Sequence, residues 1–290
     1  MNRIRFFAAA AAFSVMAAGI SCSSRNGTNK SGGMSGDDVT DEVYPDLTVT
    51  FLDVGKADSI VISSEDGTVV IDCGEKGDGK DIVKYLEGQG IDTIDYLIAT
   101  HYDKDHIGGA AKIVNTFTVL NVLGPDYQEL SPENEKFRKA MRNREIVPQI
   151  MTEDISFELG GAEYTVYAPE KADYGPNDDN DFSLVTKLKY HDTTFIFAGD
   201  AMEKRLDEVM DIGDCDLLKI PYHGRKIANL EEFIEETTPE FAVICTSKDE
   251  LSSKTMDILD EHEVKFWATC NNGRVTAVSN GSEITVSSEK

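Results

Sequence analysis

A single layered α/β domain is what this sequence predicts, and three observations predict it. Short bursts of apolar and β-branched residues recur along the chain after residue 46, and stretches with helical spacing fall between several of them. No repeat of about 20 to 50 residues interrupts the series. The chain, at 290 residues, is long enough to bury a sizeable core, and its composition is that of an ordinary globular protein.

The first bursts, "LTVTFLDV", "SIVISS" and "TVVIDCG", read as strands separated by turns such as Glu65-Asp66-Gly67. Asp81 to Gln89 reads as a helix, with Ile82, Val83 and Leu86 on one face and Gly88 and Gly90 at its end. The continuous apolar run "IDYLIATH" suits a buried strand that delivers polar side chains from its C-terminal end. A helix is expected over Ala110 to Phe117 and a strand at "TVLNVLG". Ser131-Pro132 opens another helix, with a capping side chain ahead of a proline at the first helical position. Further strands are expected at "ISFELG", "AEYTVYAP", "SLVTKLKYHDTTFIFAGD", "LLKIPY", "FAVICTS", "VKFWATC" and "VTAVS". Helices are expected over Ala201 to Met210, Leu230 to Glu236 and Ser253 to His262. No internal linker comes after Asp46, so residues 47–290 read as one domain.

Ahead of that domain, Arg3 and Arg5 precede an uncharged, alanine-rich run from Phe6 to Ser21 that stops at Cys22, the layout of an export signal over residues 1–21. Gly19-Ile20-Ser21-Cys22 resembles a bacterial lipobox, with Gly19 where leucine is usual, so Cys22 is the expected lipidation site. An uncleaved anchor and ordinary secretion are the alternatives. Residues 22–46, rich in Ser, Gly, Asn and Asp, read as a flexible tether spanning about 25 to 30 Å. The expected location is therefore a cell membrane, with the folded domain outside the cytoplasm. No later segment is apolar enough to cross a bilayer, which excludes a channel.

The formal charge is −25, and loss of Arg3 and Arg5 would take it to about −27. Such a surface repels polyanions at long range, but it does not forbid turnover at a metal site, where ions supply local positive charge. Besides Cys22, the cysteines are Cys73, Cys215, Cys245 and Cys270, with no CxxC spacing, which argues against a zinc ribbon or a thioredoxin-type motif. Cys245 and Cys270 are the candidate disulfide pair, with buried free thiols the alternative.

The chemistry gathers in "THYDKDHIGG", residues 100–109. His101, Asp103, Asp105 and His106 come directly after the apolar run, so imidazole and carboxylate donors converge on one tight loop. Gly108 and Gly109 let the backbone pass close beneath it. Four ligand-capable side chains in six positions after a buried strand are poorly explained as a solvated charge run, and they point to metal binding.

The pattern HxDxDHxGG resembles the metallo-β-lactamase fold, whose common form is HxHxDH, and the version with Asp at the third place resembles the soluble domain of the competence protein ComEC and its free-standing relatives. The likeness spans most of residues 47–275. "FLDVGKADSIVI" is similar to that group's DVGQGDS turn, "VVIDCG" to its second strand, "NDFSLVTKLKYHDTTFIFAGD" to its asparagine-serine strand and GD, and "LLKIPYHG" to its KxxHHG segment.

The resemblance implies an αββα sandwich. It implies metal-ligand roles for His101, Asp103, Asp105, His106, Asp200 and His223, with Asp105 and Asp200 also catalytic. Asp72 fits a carboxylate that orients a ligand histidine, and Asn180 and Ser183 occupy the asparagine-serine feature. Asp53 and Asp58 are expected to brace the turn between the first strands. His191, the only histidine between His106 and Asp200, lies in "YHDTT", a hairpin turn, and is not expected to be a ligand. Tyr222 replaces the first histidine of HHG and leaves His223 as the candidate there.

Carboxylate in place of imidazole at Asp103 makes one half of the site harder and weaker. One tight and one exchangeable divalent ion are expected, zinc, manganese or magnesium. The activity implied is phosphodiester hydrolysis, with DNA as the polymer. Arg225, Lys226, Arg138 and Arg142 are candidate phosphate contacts, unless Glu133, Glu135 and Glu145 pair with the basic residues of their helix on a solvated face. The alternatives are hydrolysis of another surface ester, a phosphocholine ester or a lactone, and a metal-containing substrate-binding lipoprotein without turnover.

Overall fold

The structure, a computed structural model, describes residues 44–175 and 179–290. The expected signal over 1–21, Cys22 and nearly all of the tether lie outside the described residues.

Two sheets form the frame. β1 (Leu47–Phe51), β2 (Ile60–Ser64), β3 (Gly67–Ile71), β4 (Thr93–Ile98), β5 (Thr118–Pro125) and β6 (Gln149–Met151) belong to the first. β7 (Ile155–Leu159), β8 (Ala162–Tyr167), β9 (Val185–Tyr190), β10 (Thr193–Phe197), β11 (Leu217–Lys219), β12 (Phe241–Ile244) and β13 (Lys265–Ala268) build the second. The chain then returns to the first sheet with β14 (Val275–Ser279) and β15 (Ile284–Ser288), giving the orders β15-β14-β1-β2-β3-β4-β5-β6 and β13-β12-β11-β10-β9-β8-β7. Each sheet is an antiparallel meander joined to a parallel run, beginning at the β3–β4 pair in one and the β10–β11 pair in the other.

Strand alternation explains the layering. Val69 and Ile71 point into a core shared with Phe195 and Phe197 of the other sheet, while Val70 and Ile196 face opposite outer sides. α1 (Gly79–Gly88), α2 (Lys104–Ile107), α3 (Ala110–Thr116) and α4 (Pro132–Asn143) lie on the first sheet's side, where Ile82, Leu86, Ile113 and Phe137 pack with Val70 and Leu97. α5 (Glu203–Glu208), α6 (Leu230–Thr237), α7 (Ser253–Glu261) and the short α8 (Thr269–Asn272) come after second-sheet strands; Leu206, Phe233 and Leu259 cover Ile196, Leu218 and Ile244. The result is the four-layered αββα sandwich.

Several expectations change in detail. β6 and β15 are additional strands, and Asn280-Gly281 makes the turn that returns the chain into β15. α5 begins at Glu203 because the Met202 and Arg205 N–H groups both donate to Asp181 Oδ1, which satisfies the helix start from outside it. Cys245 and Cys270 are not paired: Cys73, Cys215 and Cys245 are buried free thiols and Cys270 is a half-buried one. His191 occupies the β9–β10 turn and stacks on Tyr44.

Arg205, 1% exposed, ties three segments together behind the site. Its Nε donates to Ser183 O at 2.9 Å, Nη2 to Tyr167 O at 2.8 Å and Nη1 to Glu208 Oε2 at 3.0 Å. Removal leaves two carbonyls without their donor and takes one of several partners from Glu208, which keeps Lys171 and Tyr174, so Arg205→Ala is expected to lower unfolding free energy by about 3 kcal/mol. Urea denaturation reads this directly, and a loss under about 1 kcal/mol, the level of an ordinary surface substitution, would overturn it.

Candidate metal centre

Loops leaving the C-terminal ends of β3, β4, β10 and β11 carry Asp72, His101 to His106, Asp200 and His223 to one place, the edge at which parallel strands commonly present ligands. Three left-handed non-glycine residues lie there, Asp72 (φ 58°), Tyr222 (φ 49°) and His223 (φ 52°). Such strain persists where the surrounding structure holds a side chain in a required position. Gly108 and Gly109 have ordinary helical φ values, so freedom of φ is not what they contribute. A Cβ on Gly109 would lie 2.2 Å from Cys73 O, and one on Gly108 2.4 Å from Lys76 N; the loop can be this low only without side chains.

The three imidazoles stand in a row, with ring centroids 4.1 Å apart for His101 and His106 and 5.3 Å for His106 and His223. Asp200 Oδ2 lies 3.4 Å from His106 Nε2 and 3.0 Å from His223 Nε2. Asp105 Oδ2 is 3.8 Å from His223 Nε2, and Asp103 Oδ2 is 3.8 Å from His101 Nε2. All six expected ligand residues are thus brought together. Behind them, Asp72 Oδ2 meets His106 Nδ1 at 2.7 Å and accepts from the Thr100 hydroxyl, while Oδ1 accepts from the Thr100 N–H. His106 therefore turns its Nε2 toward Asp200.

Asp53 sits near Lys290 on the surface, but the expectation for Asp58 changes. Its carboxylate is buried, bonded to the fully buried Lys219 Nζ, and lies 3.4 Å from His223 Nδ1. Lys219 also donates to Gly199 O at 2.8 Å and sits 3.8 Å from Asp200 Oδ1. Asp58, His106, Asp200 and His223 offer ligand atoms all within 4.8 Å of one another. Asp58, however, faces the nitrogen of His223 opposite the one that faces Asp200 and Asp105; that nitrogen meets the Cys245 carbonyl oxygen at 3.1 Å, with the Asp58 carboxylate beside it as a charge neighbour. The signal for this pair was in the sequence: a lysine inside the apolar strand "LLKIPY" has to find a buried anion.

Of the remaining expected residues, Ser183 Oγ accepts from the Asp200 N–H at 3.1 Å and fixes the turn. Asn180 lines the cavity and donates from Nδ2 to Met202 Sδ. Arg225 is committed to Glu250 and the Tyr222 hydroxyl and lies over the Tyr222 ring, whereas Lys226 is exposed. Arg138 and Arg142 are exposed on α4, away from the carboxylates. Only the Glu133–Lys136 pair of the expected within-helix pairings forms among the described residues. The structure adds Lys56, 3.3 Å from Asp105 Oδ2, and Lys104 to the cavity wall.

This arrangement suits a cation. His101 Nε2, His106 Nε2, His223 Nε2 and Asp200 Oδ1 are buried without a hydrogen-bond partner among the described residues, a cost a fold does not carry unless something else satisfies them. They lie beside a cavity of about 470 Å³. Burial pushes the His101 imidazole down to about 3, so it is neutral and able to ligate. Burial opposes charge on His223 too, but Asp200 and Asp58 outweigh it and raise that group to about 9. The same balance, with Asp200 and Asp72, holds His106 well above the usual imidazole range. Burial lifts Asp103 to about 6 against the pull of His106. Protons on His106 and His223 thus take the place a divalent ion would occupy.

A carboxylate behind a ligand histidine typically contributes 10- to 100-fold in metal affinity, so Asp72→Asn is expected to weaken zinc or manganese binding by about that factor while leaving the far-ultraviolet spectrum unchanged. Competition titration against a chromophoric chelator measures it, and unchanged affinity would show that Asp72 serves the fold alone.

The family described as the Metallo-beta-lactamase superfamily matches residues 52–248 of the chain. ComE operon protein 3 of Bacillus subtilis (strain 168) is 28% identical over 263 residues, covering 80% of this chain and 34% of that protein. Recombination protein 2 of Haemophilus influenzae is 23% identical over 211 residues, covering 70% of this chain and 25% of that protein. The chain thus spans about a third or less of the length of these relatives. Among solved structures, the metallo-beta-lactamase fold protein YhfI from Bacillus subtilis superposes with a TM-score of 0.56 at 13% identity, over 78% of this chain and 96% of that one. This last likeness is one of fold.

Proposed function

The chain belongs to the metallo-beta-lactamase superfamily of hydrolases, and from that premise we propose a metal-dependent phosphodiesterase that cleaves DNA, exported and held at a membrane by a lipid on Cys22. The observation that carries the metal-dependent part is the set of partnerless buried atoms: three imidazole Nε2 atoms and Asp200 Oδ1 beside one cavity. Asp105, His106, His223 and Asp200 would hold one ion. His101, Asp103 and Asp200 would hold a second, more weakly because Asp103 stands where imidazole is commoner and is 41% exposed. Bound zinc, manganese or magnesium supplies Lewis-acid activation of a water and neutralises charge that builds on a phosphoryl centre.

The protein's own groups do the rest. Asp72 fixes the His106 ring from behind, the Cys245 carbonyl fixes that of His223 with Asp58 close to it, and Ser183 fixes the Asp200 backbone. Asp105, poised between Lys56 and His223 at the cavity wall, is placed to take a proton from an attacking water. Relatives such as ComE operon protein 3 and Recombination protein 2, together with the exposed arginines of α4, support a nucleic-acid substrate. One observation favours the phosphocholine-ester reading instead: Glu129, Glu133 and Asp179 also line the cavity and would attract a cationic head group.

Metal-stripped protein reloaded separately with manganese, zinc or magnesium is expected to cleave bis-p-nitrophenyl phosphate and single-stranded DNA, and Asp105→Ala to lose at least about 100-fold of both activities. Faster turnover of p-nitrophenyl phosphorylcholine than of DNA would transfer the assignment to a phosphocholine ester. Cleavage of none of these, with metal bound, would favour a binding role.

Export rests on the segment ahead of the domain. Among the described residues no helix is long and apolar enough to cross a membrane. The full chain expressed in a bacterium is expected to incorporate labelled palmitate and sediment with membranes, and Cys22→Ala to abolish the labelling. Unlabelled wild type would remove the lipid anchor from the proposal.

A further inference from the structure

A second cavity, of about 270 Å³, adjoins the metal centre. Of the residues that line it, Tyr102 alone also lines the first cavity, and Tyr102 sits between His101 and Asp103. The wall is built rather than incidental. The Tyr102 hydroxyl donates to Pro125 O at 3.0 Å, its N–H donates to the Tyr127 hydroxyl at 2.7 Å, and Tyr127 stacks on Phe182. Gly124 lies under the tyrosine, where a Cβ would come within 2.5 Å of the hydroxyl oxygen.

The lining combines apolar walls from Val122, Phe137 and Met141 with hydrogen-bonding groups of Asp126 and Gln128. Arg138 lines this cavity and also the hollow beside it, to which Arg142 contributes, and it makes no ion pair among the described residues. Among the described residues, the exposed large aliphatic ones, Leu120, Leu130, Val147 and Ile150, all fall in the segment around it, and Ile150 lines it. The surface next to the metal centre is therefore partly apolar and edged with hydrogen-bonding groups, and it brings two arginines without ion pairs among the described residues, beside the carboxylates of Asp126, Glu129 and Glu135, to a chain that is strongly acidic.

We propose that this second cavity is a nucleobase subsite, which receives the base next to the scissile phosphodiester across Tyr102 while Arg138 holds an adjoining phosphate. The assignment rests on the phosphodiesterase reading. A purely aliphatic group would strip water from Asp126 and Gln128 without replacing their hydrogen bonds. A base offers a flat apolar face, polar edges and an attached anion, and the size, at the low end for ligand cavities, suits one ring system.

The test uses the full chain loaded with metal and two esters with the same leaving group, thymidine 5′-p-nitrophenyl phosphate and methyl p-nitrophenyl phosphate. The nucleoside ester is expected to show about tenfold higher kcat/KM. Ile150→Trp, which fills the cavity from its exposed rim, is expected to bring the ratio close to one, and Leu120→Gln, outside it, to preserve the ratio. Calorimetric binding of thymidine 5′-monophosphate is read on the same proteins and should weaken in Ile150→Trp alone. Equal rates on the two esters, or a ratio unchanged by Ile150→Trp, overturn the subsite. Binding that Ile150→Trp blocks, without hydrolysis of either ester, keeps the subsite and removes the phosphodiesterase reading. Neither binding nor hydrolysis removes both.

Discussion

The ion pair between Asp58 and Lys219 is the constraint around which the centre is organised. One partner lies after the turn between β1 and β2 of the first sheet, the other ends β11 of the second, and both are fully buried. Burial alone would discharge either one, yet the pair holds Asp58 low at about 2 and keeps Lys219 charged, because each cancels the other's desolvation. Replacing one partner would strand an uncompensated charge between the sheets. The pair therefore ties the sheets together at the end where the loops converge, and it presents Asp58 to His223 Nδ1 at a fixed distance.

From that fixed point the electrostatics of the cavity can be derived. Asp58, Asp72, Asp103, Asp105 and Asp200 outnumber the ammonium groups beside them, those of Lys219, Lys56 and Lys104. The imbalance is negative, and the protein meets it by raising the affinity of His106 and His223 for protons. A divalent cation answers the same imbalance while also satisfying the nitrogens that otherwise lack partners. The groups around the rings divide the work: Asp72 orients His106, the Cys245 carbonyl orients His223 with the Asp58 charge beside it, and Asp200 spans the gap between His106 and His223.

Most of this frame was legible in the sequence because its signals are local. Alternation in "TVVID" and "TTFIF" gave strands with the right faces, and Ser131-Pro132 gave the start of α4, where Ser131 Oγ accepts from the Asn134 N–H. His101, Asp103, Asp105 and His106 stood out by crowding, whereas Asp200 and His223 were reached only through the family resemblance and their order behind that first motif. The features that stayed hidden depend on contact between distant segments. Asp58 and Lys219 are separated in sequence by strands β2 to β10, so a turn role for Asp58 was the natural local reading. β15 pairs only with β14 at the sheet edge, and its burial is too shallow to leave a strong apolar pattern, although Asn280-Gly281 marked its hairpin. The candidate disulfide does not form, and free thiols are found instead: two strand-like neighbourhoods say nothing about whether their cysteines meet.

The same distinction decides how a polyanion could approach. By sequence alone Arg225 and Lys226 beside His223 were as good a phosphate contact as α4. In the fold, Arg225 is held by Glu250 and Tyr222, and using it for a phosphate would mean breaking a half-buried charge pair. The arginines of α4 carry no such commitment, and they stand on the β5–α4 side of the centre. Carboxylates of Glu129, Glu133 and Asp179 occupy the rim of the main cavity itself. A charged strand would therefore be held from one side only, with its phosphates along α4 and the reacting one brought inward past Tyr102. Salt should weaken such a grip less steeply than a continuous basic groove would, since few phosphates are neutralised. Under the proposed function, affinity would then come from the ions and from burial of a base, which would give an acidic protein a way to act on an acidic polymer.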